Sequence, residues 1–306
     1  MTKINAFLKL IRWANVLIIA STQSLFFYLI KASLYRDSLD TTHQQKFVYL
    51  LLSYVCISSA GYIINDYFDL NIDQINKQKK VIINRFITRR WALFLHISLS
   101  LIGIVLSTMV NLEVGFLSTL VVIILFAYSA IFKKKFLIGN ILVAVCVAWA
   151  IAITAYFDFK NIVLHKTVQG KDFDILFNAT LLYVAFSFII NLIREVIKDM
   201  EDIEGDIKYG CKTMPIVWGI NASKVFVAVW LVVLMAMLVT AQIYAIRLHW
   251  WLVIPYCLLF VLAPIVWVFK QLFTAQSPYE FHKLSSAIKI VILTGVLSMV
   301  FFKIYL

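Results

Sequence analysis

Long apolar runs alternate with short charged stretches along the whole chain. A helix needs about twenty mainly apolar residues to cross a bilayer. Nine runs approach or meet that length: Trp13–Ile30, Phe47–Ile64, Trp91–Val110, Val114–Phe132, Phe136–Phe157, Ile175–Val196, Lys224–Ile246, Trp250–Phe269 and Ser286–Phe302. None has the alternating ten-residue pattern of a barrel strand. The pattern therefore predicts an all-α polytopic membrane protein, a bundle of nine helices. Only Asn111-Leu112-Glu113 separates the third span from the fourth. The longest polar stretches are Lys31–Lys46, Asp66–Arg90, Asp158–Asp174 and Asp199–Ala222. None is a soluble domain or a low-complexity tract, so residues 1–306 read as one integral-membrane domain.

One polar pattern occurs twice. Asn65-Asp66-Tyr67-Phe68-Asp69-Leu70-Asn71-Ile72-Asp73 carries carboxylates at i, i+3 and i+7. Asp199, Asp202 and Asp206 repeat the spacing, offset by 133 residues at every position. Steps of three and four residues return to one helix face, so each ladder predicts a stripe of three negative charges. Each follows a long apolar span, the second and the sixth. The repeat suggests two pseudo-equivalent halves, spans one to four and five to eight, with the ninth extra. Carboxylates this close repel one another and are costly at the edge of lipid. Magnesium suits such oxygen clusters and commonly bridges carboxylates to phosphates.

Composition excludes a soluble globular domain: 62% of residues are hydrophobic and 14% charged, with a mean hydropathy of +0.90. Charge then orients the bundle. With the N-terminus inside, the inner loops carry eighteen Lys and Arg residues and the outer ones eight. This predicts a cytoplasmic N-terminus, in a plasma (inner) membrane, with both ladders on the cytoplasmic side. The net charge of +12 follows from that rule. No nucleic-acid partner is expected, because the basic residues sit in short loops between spans; membrane lipid is the surrounding partner. Cys56, Cys146, Cys211 and Cys257 have no metal or redox spacing. No small-residue cleavage pattern follows the first apolar run, which reads as a retained helix.

Cations and amides accompany the ladders. Lys77, Lys79 and Lys80 follow the first; Asn191, Arg194, Glu195 and Lys198 precede the second, and Lys208 and Lys212 follow it. Tyr128-Ser129, Lys133, Lys134 and Asn140 flank the end of the fourth span. Acidic clusters interleaved with cations suit a metal–diphosphate complex, in which metal and Lys/Arg groups neutralise a departing diphosphate. An apolar bundle can hold an isoprenoid chain and exclude water.

These residues resemble the UbiA-type intramembrane prenyltransferase superfamily. Asn65-Asp66-x-x-Asp69-x-x-x-Asp73 is similar to its first metal motif, and Asp199-x-x-Asp202-x-x-x-Asp206 to its second. Arg12-x-x-Asn15 and Tyr128-Ser129 with Lys133 match its flanks. The segment from Arg194-Glu195-x-x-Lys198-Asp199 to Lys212-Thr213-x-Pro215 is most similar to the branch that prenylates geranylgeranylglyceryl phosphate. The resemblance implies Mg2+ as cofactor, held by Asp66, Asp69, Asp73, Asp199, Asp202 and Asp206. It implies catalysis centred on Asp66, Asp69, Asp199 and Asp202. Binding of a polyprenyl diphosphate such as geranylgeranyl diphosphate, and of a lipid or aromatic acceptor, would use Asn65, Arg12, Asn15, Lys77, Lys80, Tyr128, Lys133, Arg194, Lys198 and Lys212. One departure stands out. The family usually continues its first motif with Arg-Pro, where this chain has Lys80-Val81, keeping the charge but losing the planar fork.

Blander readings compete. A single acidic helix end is usually a solvated cap, although duplication weighs against that here. Arg194 and Glu195 suit a structural ion pair; Arg12, Lys133 and Lys134 suit topology alone. Asn15 and Asn140 suit interhelical hydrogen bonds, and Tyr128 an interfacial aromatic. Glu201 and Glu204 lie off the main stripe and are expected to be solvated. Three functions stay open at this point. A prenyltransferase could use a glyceryl-phosphate lipid or an aromatic acid such as 4-hydroxybenzoate. A cation transporter could use the ladders as an ion path. A catalytically dead scaffold would fit the Lys80-Val81 departure.

Overall fold

A computed structural model describes residues 3–31, 41–76, 81–165 and 171–306; for residues 3, 31, 158–165 and 171–172 it describes backbone only. The described residues are helical with no strand, apart from one isolated bridge between Ile83 and Ile87. In chain order the helices are α1 (Lys3–Leu10), α2 (Trp13–Leu25), α3 (Thr41–Asn76), α4 (Arg89–Val110), α5 (Leu112–Ala130), α6 (Ile138–His165) and α7 (Lys171–Glu201). There follow α8 (Ile203–Lys208), α9 (Met214–Val217), α10 (Ile220–Arg247), α11 (Val253–Cys257), α12 (Ala263–Thr274), α13 (Pro278–Leu297) and α14 (Val300–Tyr305). Nine helical stretches among them are long and apolar enough to cross a membrane, in the order the sequence predicts.

The chain divides into two compact units. The first is Met1–Ser24, Ser38–Leu142 and Glu204–Cys211; the second is Leu25–Asp37, Val143–Ile203 and Lys212–Leu306. The first four spans thus fall almost entirely in one unit and the last five in the other.

On α4, in the first unit, large apolar side chains face outward. On α4 the buried positions are Ala92, His96, Ser100, Gly103, Ser107 and Val110, while Phe94, Ile97, Leu101, Val105 and Met109 are exposed. Large apolar side chains outside and small polar ones inside are the mark of helices that pack in lipid. The small residues permit close approach. A Cβ on Gly103 would lie 2.6 Å from Ile57 Cγ1 and 3.1 Å from the Ser53 carbonyl. The Ser53 hydroxyl donates to the Gly103 carbonyl at 2.7 Å. Asn111 makes the predicted joint between spans three and four: it is extended, and its side chain accepts from the Val114 amide at 2.7 Å to cap α5. At one end of the unit Ala6, Leu10, Ile63, Leu70, Ile82, Ile83 and Ala92 form a core that fixes α1 and the Ile82–Ile83 turn against α3.

In the second unit a core of Phe26, Ile30, Ile151, Leu176, Tyr183, Trp250 and Phe302 joins the ends of several spans. The first span ends in a π-helical turn, Phe26–Lys31, and the eighth span is likewise not the single α-helix the pattern predicts. A π-helical turn, Leu258–Leu262, joins α11 to α12. Pro264 explains it, since proline has no amide to give and crowds the carbonyl four residues back. That carbonyl belongs to Phe260, and it accepts the Thr294 hydroxyl at 2.8 Å. In lipid no water could satisfy it.

Thr294→Val should therefore cost about 1 kcal/mol and Gly103→Leu considerably more, both read as a lower Tm in detergent. An unchanged Tm for Thr294→Val would show that the Phe260 carbonyl does not need this donor.

Candidate active site

The first ladder lies on α3, which runs three turns beyond the predicted end of its span at Ile64. Helical spacing puts Asn65 and Asp69 one turn apart, and the Asn65 amide donates to Asp69 Oδ2 at 2.8 Å. Asp69 is only 3% exposed, so it needs compensation. Lys133 supplies it, donating to the same Oδ2. Lys133 stands on a 3-10 turn, Phe132–Lys134, just after α5. That turn sits close on Gly139: a Cβ there would meet the Phe132 carbonyl at 2.9 Å and Lys133 Cα at 3.0 Å. Tyr128, half-buried on the last turn of α5, lies beside the same glycine.

Asp66 has its own cation. Arg12 Nη2 donates to Asp66 Oδ1 at 2.6 Å, and the guanidinium lies over the Tyr62 ring, 5.1 Å from its centre. Arg12 occupies the joint between α1 and α2 with φ 51°, a left-handed conformation uncommon for a side chain with a Cβ. Its carbonyl accepts from the Asn15 amide at 2.8 Å, so half-buried Asn15 marks the first turn of α2. Burial opposes the charge on both cations, but Asp66 for Arg12 and Asp69 for Lys133 more than offset it. Each cation is held above its ordinary pKa and stays charged. Asp73 is half-buried on the last turns of α3.

The second ladder departs from the expected continuous stripe. Asp199 ends on α7, Asp202 falls at a bend, and Asp206 lies on the separate helix α8. Five acids between Asp199 and Asp206 would burden a helix C-terminus, whose dipole disfavours negative charge. Restarting the helix puts Glu204 and Asp206 in a first turn instead, where the dipole favours them. Asp206 is buried and belongs to the first compact unit with Asp66, Asp69 and Asp73. The Gly205 amide donates to Asn76 Oδ1 at 2.9 Å, and the Cys211 amide to the Asp206 carbonyl at 2.9 Å. Burial pushes the Cys211 thiol up to about 11; Asp206 adds to this, Lys134 and Lys133 oppose it, and Asp69 adds to it.

In the second unit Glu195 organises the cations on α7. It accepts from Arg194 at 3.3 Å and from Lys198 at 2.9 Å. Arg194 Nε is buried without a hydrogen-bond partner among the described residues. Asp199 and Asp202 are half-buried. Glu201, expected to be solvated, is instead covered and paired with His282 on α13 at 2.9 Å; Glu204 is exposed as expected. Lys212 is exposed just before buried Thr213 and Pro215. Lys77 and Lys80 lie outside the described residues.

Among the described residues no three His, Cys, Asp or Glu side chains converge as a metal-holding group. Asp66 and Asp69 are turned to Arg12 and Lys133 instead. The donor set nevertheless fits a hard divalent cation: it is carboxylate oxygen throughout. Beside Asp69 the Asn65 Oδ1 is a buried acceptor with no partner among the described residues. Sequence reasoning missed Tyr62, Asn76 and His282. Tyr62 stands four residues before Asp66 and Asn76 three after Asp73, so helical spacing could have found both; nothing local points to His282.

Comparison with known proteins identifies the family. The profile of the UbiA prenyltransferase family matches residues 24–300. Digeranylgeranylglyceryl phosphate synthase of Methanosphaera stadtmanae is 31% identical over 254 residues, covering 81% of this chain and 86% of that protein. A UbiA homolog from Aeropyrum pernix K1, solved in its apo form, has the same fold with a TM-score of 0.65 at 18% identity, covering 91% of this chain and 98% of its own. A UbiA homolog from Archaeoglobus fulgidus, bound to GPP and Mg2+, superposes with a TM-score of 0.56 at 15% identity, covering 96% and 99%. The cation-transporter reading falls with these likenesses. The chain is an integral membrane prenyltransferase and belongs to the UbiA prenyltransferase family.

Proposed function

We propose that this protein transfers a geranylgeranyl-type polyprenyl group from its diphosphate to the hydroxyl of a glyceryl-phosphate lipid, forming an ether. One observation carries the reading. Asp66, Asp69, Asp73 and Asp206 occur in one compact unit, interleaved with the fixed cations Arg12 and Lys133. The M. stadtmanae relative is a digeranylgeranylglyceryl phosphate synthase, which supports the acceptor class, and the Lys198–Pro215 segment points the same way. An aromatic acceptor such as 4-hydroxybenzoate is the second reading. We further propose that residues 1–306 work as one catalytic domain, with the N-terminus and ladders cytoplasmic in the plasma membrane.

In this reading Asp66, Asp69, Asp73, Asp199, Asp202 and Asp206 would hold magnesium. When bound, magnesium neutralises charge on the leaving diphosphate. The chain's own cations do the rest of that work. Arg12, Lys133, Arg194 and Lys198 bind diphosphate oxygens, with Lys77 and Lys80, which follow Asn76 in the sequence. Asn65, Asn15 and Tyr128 orient the group. The carbon–oxygen bond to the diphosphate breaks, leaving an allylic cation. The acceptor hydroxyl captures it and releases its proton, while the apolar helices keep water from competing.

Asp66→Ala, Asp69→Ala, Asp199→Ala and Asp202→Ala should each reduce transfer at least a hundredfold, roughly the scale of losing a group that stabilises transition-state charge. Asp73→Ala and Asp206→Ala should have less uniform effects. The sequence alone suggests that removing any acid relieves repulsion and spares stability. The Lys133 contact changes that expectation for Asp69, whose loss leaves a partly buried cation alone, so Asp69→Ala should also lower Tm without magnesium. Product formation followed by mass spectrometry checks the first point; wild-type turnover in any of the four would remove that residue from the assignment.

Lys212 is exposed and available to an acceptor phosphate. Lys212→Ala should raise the apparent acceptor constant about fivefold, the scale of an exposed ion pair of roughly 1 kcal/mol, and that for prenyl diphosphate less. Steady-state kinetics with both substrates read this. Transfer to 4-hydroxybenzoate, with none to a glyceryl-phosphate lipid, would reverse the acceptor and leave prenyl transfer standing. For orientation, cysteines placed at Thr2 and at Leu248 should label from the cytoplasmic and the outer face, respectively, with an impermeant maleimide on intact cells and inverted vesicles. The opposite pattern rejects the topology.

A further inference from the structure

We infer that Asn76 is a positioning residue that ties the short helix carrying Asp206 to the end of the first ladder's helix. The inference rests on the prenyl-transfer reading for its kinetic consequence, but its structural content is independent.

The first residues of any helix carry amides with no acceptor inside that helix. In α8 these include Gly205, at its third position. Such an amide is usually met by the capping side chain two or three residues upstream in the same chain segment. Here it is met by Asn76, whose Oδ1 accepts at 2.9 Å from 129 residues away. Asn76 closes α3, one turn beyond Asp73. Thus the last side chain of the first ladder's helix caps the helix that holds the last acid of the second.

The contact is close enough to dictate the residue opposite. A Cβ on residue 205 would lie 2.5 Å from both Asn76 Nδ2 and Oδ1. Gly205 has no left-handed φ to require glycine, so the requirement is room for Asn76. The neighbouring backbone is tied in turn: the Gly205 carbonyl accepts from Tyr209 at 3.2 Å and the Asp206 carbonyl from Cys211 at 2.9 Å. A six-residue helix is too short to hold itself, so α8 depends on such ties. The hydrogen bond that Asn76 accepts from Gly205 is thus the tie from α3 to the Glu204–Cys211 stretch, which includes buried Asp206 and Cys211.

Cys211 is a built-in reporter, being 5% exposed in the anchored state. The test uses purified full-length protein in lipid nanodiscs, with Asn76→Ala, Asn76→Asp and Gly205→Ala. Maleimide labelling of Cys211 is read by peptide mass spectrometry, without substrate or metal. Asn76→Ala and Gly205→Ala should label Cys211 about tenfold faster, the worth of one hydrogen bond. Asn76→Asp keeps the Oδ1 acceptor and should restore protection. In turnover, Asn76→Ala should raise the magnesium concentration for half-maximal rate and the KM for prenyl diphosphate several-fold, leaving the acceptor KM within twofold. Unchanged Cys211 labelling in Asn76→Ala and Gly205→Ala overturns the anchor. Faster labelling with unchanged magnesium and prenyl-diphosphate dependence overturns the positioning role and leaves a structural tie. If the wild-type protein transfers no prenyl group while Cys211 responds as stated, the prenyl-transfer reading fails and the anchor stands.

Discussion

Asp69 is buried at the margin of the apolar spans, where Lys133 reaches it from a different element. Without that cation the buried carboxylate would lose its charged partner, which is costly. The demand propagates. Lys133 must be presented by a tight turn, the turn must sit on Gly139, and α5 must end where it does. On the other flank Asp66 makes the same demand of Arg12, whose left-handed backbone turns the chain between α1 and α2. The core of Ala6, Leu10, Ile63 and Leu70 then holds α1 where Arg12 is needed. Packing in this unit is thus partly a scaffold for two cations.

The two kinds of burial in the protein follow different rules. Along the spans, lipid is as apolar as leucine, so large side chains gain nothing by turning inward. On α4 small residues face inward, and hydroxyls along the spans satisfy backbone carbonyls, as Ser53 does for Gly103 and Thr294 for Phe260. At the polar end burial concerns charge, and Arg12 and Lys133 compensate Asp66 and Asp69.

Where the chain crosses lipid was legible, because span length and composition are local properties. The Asn111 joint was legible too, since one capping residue explains it. The ladder's residue types and spacing announced the chemistry, and nothing in the spacing could say which cation meets which acid. Arg12 and Asp66 are 54 residues apart, and His282 and Glu201 are 81. Those pairings are products of the folded chain. The bend at Asp202 escaped for another reason. The 3–4 spacing of Asp199, Asp202 and Asp206 is helical by itself, and the interruption falls where five acids crowd a helix end, a place the helix dipole disfavours. The π-helical turn of the eighth span was foreseeable from Pro264; its rescue by Thr294 was not.

The bend gives the two ladders different tolerance to change over evolutionary time. On α3 a single inserted residue would rotate everything downstream by about 100°, scattering Asp66, Asp69 and Asp73 around the cylinder. Between Asp199 and Asp206 the helix is already interrupted, so an extra residue there can be absorbed by the bend. If the halves arose by duplication, only the first copy remained a rigid ruler. The second became a hinged one, free to drift in length while its final acid is held in place from outside.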